Sequence, residues 1–386
     1  MTDTPIRRWE ALDMLRGLSI VGMLINLTGA WDHEYTWIQH AKWEGGHLID
    51  MVAPVFLFCI GAAIPLSLQS RANKGADRGR LTIHILVRCL ALVALGLFLN
   101  AYPTFDLVHV RIPGVPQKLG LSFALAGLFM LWTARRDEEG LVFSWKAAAG
   151  AIAVILVAHW ALLEFVPVPG FGAHRFDPVG SWPSFIDRSL FTVPHMFIYW
   201  PVDGKVVFDP DGLLNVTTST ANVLFGVLAA LAWQRSWFRR PVVVNVFAGV
   251  ALMAIALLLN GICPIIKNIW TSTFVLFSTG FALVVLALLT VLTGTLKAGA
   301  VLFPLKIYGA NPLLAYIIFF VLSPVLNLLW IPTSEHGKVS VMWGGQILAG
   351  HVFDPYLSSL FVSLIYLSIL FLVLLVCYRK RWFLKL

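Results

Sequence analysis

Three side chains within the first fifty residues could act on one another. They are Asn26 near the end of an apolar run, His40 inside "WIQHAKWEGG", and Asp50 at the start of the next apolar run. An imidazole changes charge near neutral pH, and a carboxylate beside it can orient the ring and stabilise its charged form, as in a nucleophile or base dyad. His33 and His47 flank the same stretch and compete for that role. His40 is favoured by its company, because Trp37 and Trp43 could shield it from water while Asp50 supports it. Gly45 and Gly46 let the chain turn sharply toward the next run.

Composition decides what kind of element must hold these groups. Hydrophobic residues make up 59% of the 386 and charged residues only 12%, and the mean hydropathy is +0.81. Such a chain belongs in a bilayer rather than in water. Crossing roughly 30 Å of hydrocarbon takes about 20 mostly apolar residues as helix. Ten such stretches are present, at about 12–29, 48–69, 82–100, 119–134, 147–166, 215–234, 241–261, 270–293, 309–330 and 356–378. Lipid offers no partner to unpaired backbone, so the expected fold is all-α: a polytopic membrane helix bundle forming one domain over residues 1–386.

Of the 28 Lys and Arg, 18 fall in the six segments on the amino-terminal side of these spans and 8 in the five segments on the other. The positive-inside rule then puts both termini in the cytoplasm. Basic loops beside anionic lipid account for the net charge of +8 without a nucleic-acid partner. The Arg pair in "PIRRWEALD" suggests an export signal, but Asp13 and Arg16 interrupt the run and no small-residue cleavage site follows, so a retained first helix is expected. Cys59, Cys89, Cys263 and Cys377 show no paired spacing, and neither a disulfide framework nor a metal site is implied.

With this orientation Asn26 and His40 share the outer face. Two outer connections are long enough to be caps, residues 167–214 and 331–355. The first interleaves aromatic rings with carboxylates in "PVPGFGAHRFDPVGSWPSFIDRSLF" and "FDPDGLLN", which suits a carbohydrate; an interfacial aromatic belt has the same composition. On the inner side Arg16, Arg71 and Arg88 are the arginines that a phosphate-bearing cofactor would need, although Asp13 and Arg16, three apart, could simply pair with each other.

In order along the chain, "LDMLRGLSIVGMLIN", "HAKWEGGHLIDMVAPVFLFCIGAAIPLSL", "VRIPGVPQKLG", "PVPGFG", "FIDRSL", "FDPDGLLN", "KNIWTSTFVLFSTG", "GANPLLAY" and "YRKRWFLKL" resemble the heparan-α-glucosaminide N-acetyltransferase family and its bacterial relatives. The resemblance implies an acetyltransferase of a bacterial inner membrane, which moves an acetyl group from cytoplasmic acetyl-CoA to the amine of a terminal glucosamine on the outer side. It implies that His40 is the catalytic histidine and Asn26 its support. Such an imidazole can take the amine proton as a base or carry the acetyl group itself, and an asparagine amide can stabilise the oxyanion. Arg111 and Gln117, Lys267 and Asn268, and Asn311 match further family positions, and with Asp50 and Asp187 they are assigned to the acceptor pocket. The partners implied are acetyl-CoA, an amino-sugar or oligosaccharide acceptor and membrane lipid, with no metal; a homodimer is left open. Two other readings compete. Ten helices with buried polar groups would suit a transporter of sugars or peptidoglycan fragments, though no internal repeat is found, and the same site could O-acylate a glycan hydroxyl.

Overall fold

A computed structural model describes residues 9–28, 33–137, 140–198, 201–296, 298–333 and 337–384. Arg7, Arg8, Lys297 and Lys385, which enter the charge count above, lie outside them. The described chain is mostly helical. In order it forms α1 (Glu10–Thr28), α2 (Val52–Ala72), α3 (Arg78–Ala101), α4 (Val115–Thr133), α5 (Trp145–Phe165), α6 (Trp182–Leu190), α7 (Leu213–Gln234), α8 (Pro241–Leu258), α9 (Ser272–Gly294), α10 (Phe303–Ala310), α11 (Pro312–Leu328), α12 (Val341–Gly350) and α13 (Pro355–Arg379). A single 3-10 turn, Leu48–Met51, leads into α2. Two antiparallel hairpins interrupt the helices, β1 (Arg135–Asp137) with β2 (Gly140–Val142) and β3 (Trp330–Thr333) with β4 (Gly337–Ser340).

Among the described residues nine helices are long and apolar enough to cross a membrane, and ten if α10 and α11 count as one broken span. The protein is an integral membrane protein. The expected uninterrupted helix at 309–330 is in fact two helices meeting at 80°. The sequence carries the cause, since Pro312 lacks an N–H and disfavours helix in the residue before it. Asn311 sits at that corner, where its Nδ2 donates to Trp382 O (2.8 Å) and its Oδ1 accepts from Leu384 N (3.0 Å), anchoring the carboxy-terminal tail. The expected fourth span starts earlier than residue 119. Gln117 and Lys118 belong to the first turn of α4 and are buried.

Close helix crossings depend on glycine. A Cβ on Gly61 of α2 would collide with the Val223 carbonyl of α7, and one on Gly226 with the Phe58 carbonyl, so these two helices touch backbone to backbone. The same relation joins Gly17 of α1 to Gly309 of α10. Helix α7 is buried along most of its length, whereas α8 turns large apolar side chains such as Phe247 and Leu258 outward, as a lipid-facing helix must. The two long connections contain structure of their own: α6 in the first, and the β3–β4 hairpin and α12 in the second.

The bundle therefore has one end at which the close of α1, the opening of α2, the α8–α9 connection and the connection between α5 and α7 come together. Gly45 N donates to Ile265 O at 2.7 Å, tying the loop before α2 to the loop before α9. Trp43 Nε1 donates to Phe176 O at 2.9 Å, tying it to the long cap.

Candidate active site

The loop that carries His40 is held from four directions. From α1, Asn26 Nδ2 donates to Ile38 O at 2.9 Å. From the 3-10 turn, Asp50 Oδ2 accepts from both Ala41 N (3.1 Å) and His47 N (2.8 Å), so one carboxylate clamps the two ends of the loop. Gly45, at φ +89°, and Trp43 supply the other two ties named above. Gly45 is the position that demands its residue type, since this backbone conformation is strained for any residue with a Cβ.

Asp50 Oδ1 lies 2.6 Å from His40 Nδ1. The side chain of Asp50 is fully buried, and its other oxygen already accepts two backbone donors. An ionised, acceptor-only carboxylate in this position assigns the proton to Nδ1 and leaves Nε2 as the basic nitrogen. Lys267, arriving from the α8–α9 connection, places its Nζ 2.8 Å from His40 Nδ1, 3.4 Å from Nε2 and 3.3 Å from Asp50 Oδ1. The ammonium is held by Asp50 Oδ1 and lies at the Nδ1 side of the imidazole. Burial, and then the charge of Lys267, push the His40 imidazole below its ordinary range, favouring its neutral form; Asp50 opposes both. Burial likewise lowers the Lys267 amine, with Asp50 opposing.

The neighbouring histidines have other work. His47 Nδ1 donates to Gln39 O at 2.8 Å, and His33 packs edge-on against Tyr356. Of the two tryptophans expected to cover His40, Trp43 reaches the cap. Trp37 does not serve as a cover: it is 47% exposed and stacks on Tyr35. It sits beyond the ties that hold the loop inward.

Beside this cluster lies a second charged network. Arg111 forks onto Asp209, with Nε to Oδ2 at 2.9 Å and Nη2 to Oδ1 at 2.5 Å, and Nη2 also reaches Asp211 at 3.0 Å. Lys118 donates to Pro210 O (3.1 Å) and Asp211 (3.5 Å), with its ammonium 3.2 Å from the centre of the Trp270 ring. Burial alone would raise the Asp211 carboxyl, but Lys118, Arg111 and Lys267 together pull it below the usual range. The charge of Lys267 thus also bears on Asp211. Asp187, fully buried, accepts from Leu213 N at 3.1 Å while its Oδ2 has no partner. Burial first, and then the charge of Asp209, push its carboxyl up to about 7. Asn268 contributes its backbone carbonyl to Asn215 Nδ2 at 2.9 Å.

Gln117 is bound up in its own loop, donating to Ile112 O at 2.9 Å and packing against Gly96 and Gly114. Asn100 completes that clamp by donating to Arg111 O and Pro113 O. Asn311 is placed elsewhere, at the α10–α11 corner.

Of the three arginines assigned to a phosphate, Arg16 lies on α1, Arg71 in the last turn of α2 and Arg88 on α3. Arg88 stands about 15 Å along α3 at 1.5 Å per residue. Its guanidinium lies 4.7 Å from the Phe123 ring centre, and its buried Nε has no hydrogen-bond partner. Arg16 is only loosely spent, 3.4 Å from Asp13 and 3.3 Å from Gly309 O.

The profile described as "Heparan-alpha-glucosaminide N-acetyltransferase, catalytic" matches residues 8–168. Residues 8–168 are thus similar to that catalytic region. They hold Asn26, His40, Asp50, Arg111, Gln117 and all three arginines. Asp187, Lys267, Asn268 and Asn311 lie beyond them. A heparan-alpha-glucosaminide N-acetyltransferase of Mus musculus is 27% identical over 323 residues, covering 73% of this chain and 49% of its own length. One of Homo sapiens is 26% identical over 326 residues, covering 73% and 48%. The chain spans about half the length of these curated relatives. Asp209, Asp211 and Lys118 were not singled out as site residues from the sequence. The signal was available in "FDPDGLLN", where two carboxylates one residue apart sit in a Pro/Gly turn.

Proposed function

We propose that this chain is a transmembrane N-acetyltransferase of a bacterial inner membrane. It takes acetyl from cytoplasmic acetyl-CoA and delivers it to the amine of a terminal glucosamine-type sugar at the His40 end of the bundle, which faces outward. The observation that carries this reading is the His40–Asp50–Lys267 cluster, built on a loop within the stretch that matches a catalytic region.

In the direct route the amine nitrogen attacks the thioester carbonyl while His40 Nε2 takes its proton. The carbon–nitrogen bond forms, the carbon–sulfur bond breaks, and the departing thiolate recovers the proton from the imidazolium. Asp50 stabilises that imidazolium through Nδ1. The Lys267 ammonium lies beside the reacting centre, where negative charge grows on the carbonyl oxygen, and the second N–H of Asn26 is a further donor. Arg16, Arg71 and Arg88 hold the phosphates of the donor, with Arg88 Nε supplying an unspent hydrogen bond. The Arg111–Asp209–Asp211–Lys118 network, with Asp187, walls the acceptor side.

Incubating purified protein with labelled acetyl-CoA and glucosamine or N-acetylglucosamine tests the reading by mass spectrometry. Label on glucosamine alone is expected. Label on N-acetylglucosamine would turn the reading to hydroxyl transfer, and label on neither sugar would remove it. An acetyl group trapped on His40 would assign the two-step route.

A further inference from the structure

A small cavity of about 10 Å³, room for one ammonium-sized group, opens at the His40 end between the last turns of α1 and the first turns of α13. It is lined by Ile25, His33, Glu34, Tyr35, Ile38 and Tyr356, together with residues of α13. Glu34 is the unusual member. It is only 7% exposed, and its Oε1 has no hydrogen-bond partner. A buried carboxylate oxygen without a donor is costly and uncommon, and it calls for a partner that none of the described residues supplies. Among the described residues no Lys or Arg pairs with it.

The walls indicate which donor fits. The Tyr35 and Tyr356 rings stand 5.6 Å apart, and the edge contact of His33 with Tyr356 at 5.8 Å extends the aromatic surface. A carboxylate among ring faces is suited to an organic cation, with the charge on the carboxylate and the carbon body against the rings. Burial alone pushes the Glu34 carboxyl up to about 7, and a bound cation would hold it ionised.

The cleft is also coupled to the transfer loop. Gln39 Nε2 donates to Glu34 O at 2.8 Å, and Ile38, which lines the cleft, is the residue whose carbonyl Asn26 grips. His40 follows two residues later.

We propose that this cleft is an amine-recognition subsite, in which Glu34 binds a primary ammonium and Tyr35 and Tyr356 pack against the body that carries it. The inference rests on the acetyltransferase reading in one respect, that a protonated amino sugar is one source of such a cation. The headgroup of an amine-bearing phospholipid is the other, because the cleft lies between two membrane helices.

The test is direct binding, without acetyl-CoA, of labelled glucosamine, labelled N-acetylglucosamine and labelled phosphatidylethanolamine to full-length protein in detergent. Glu34→Gln is expected to weaken binding of an ammonium ligand about tenfold or more, the worth of a hydrogen bond to a charged group, while leaving N-acetylglucosamine unchanged. Its melting temperature should equal or exceed that of the wild type, since an unpaired buried acid is removed. Tyr356→Ala, at a partly exposed position outside the helix core, should also weaken the ammonium ligand. Loss confined to glucosamine assigns the subsite to the acceptor, and loss confined to phosphatidylethanolamine assigns it to lipid. Unchanged binding of both ammonium ligands in both variants overturns the proposal. Because no donor is present, glucosamine binding that depends on Glu34 would survive a failed transfer assay, and transfer with neither ammonium ligand bound through Glu34 would sink the subsite alone.

Discussion

At the scale of single residues, the chemistry concentrates on one imidazole and the two charges that touch it. His40→Ala should abolish acetyl transfer while the protein stays folded and binds acetyl-CoA, because the loop is held through Asn26, Asp50, Gly45 and Trp43 rather than through the ring of His40 alone. His351→Ala, at an exposed position at the end of α12, is the matching control, with a mild effect expected. Asn26→Ala should cost about 100- to 1,000-fold in turnover if its second N–H serves the oxyanion. A loss confined to thermal stability would reduce Asn26 to the tie on Ile38. The Lys267 charge sets the sign of a further prediction. His40 is held below the ordinary imidazole value of 6.5, so the acid limb of kcat/KM should lie below that pH in the wild type. Lys267→Met removes one of the two main causes of the depression. Protonation then becomes easier, and the limb should move toward neutral pH in a pH–rate profile. A limb that stays in place would separate Lys267 from the base.

At the scale of elements, the site is only as well placed as the helices beneath it, and the α2–α7 crossing is the tightest link to the Asp50 turn. Gly61→Val drives a side chain into the Val223 carbonyl and should lower stability by about 1–3 kcal/mol or more, the range for overpacking. Gly150→Ala, where an added Cβ meets nothing within 4 Å, should be neutral or slightly stabilising through better helix propensity. Thermal unfolding in detergent, followed by circular dichroism, compares the two. Equal melting temperatures would show that α2 and α7 can slide apart without penalty. Hydropathy sees a continuous apolar run at 309–330, but the fold breaks it at Asn311–Pro312 because the helix cannot pass the proline without losing backbone bonds, and the carboxy-terminal tail supplies substitutes.

At the scale of the whole molecule, the proposed reaction requires two ends with different exposures. A cysteine replacing Ala173 in the long cap should react with an impermeant thiol reagent added outside intact cells, and one replacing Lys74, between α2 and α3, should not. Reversed labelling would overturn the orientation inferred from the Lys and Arg count, and with it the transfer across the membrane. The donor should enter from the opposite end to the acceptor. Arg88→Gln is therefore expected to raise the KM for acetyl-CoA about tenfold or more while leaving that for the sugar nearly unchanged, as loss of one charge-assisted contact to phosphate would. Equal changes in both constants would place Arg88 in general packing.

What the sequence determined by itself follows from local rules. Apolar run length set the number of spans to within one broken helix, and residue type and order brought Asn26, His40 and Asp50 to one end of the first two helices. Only the tertiary structure decided which charges meet across the chain. Lys267 stands 227 residues from His40, and Arg111 stands 98 from Asp209; no periodicity or spacing encodes either pairing. They come together because helices α7 and α9 pack against the same core as α2, and because charges that must leave water inside a bundle are stable only where partners of opposite sign converge.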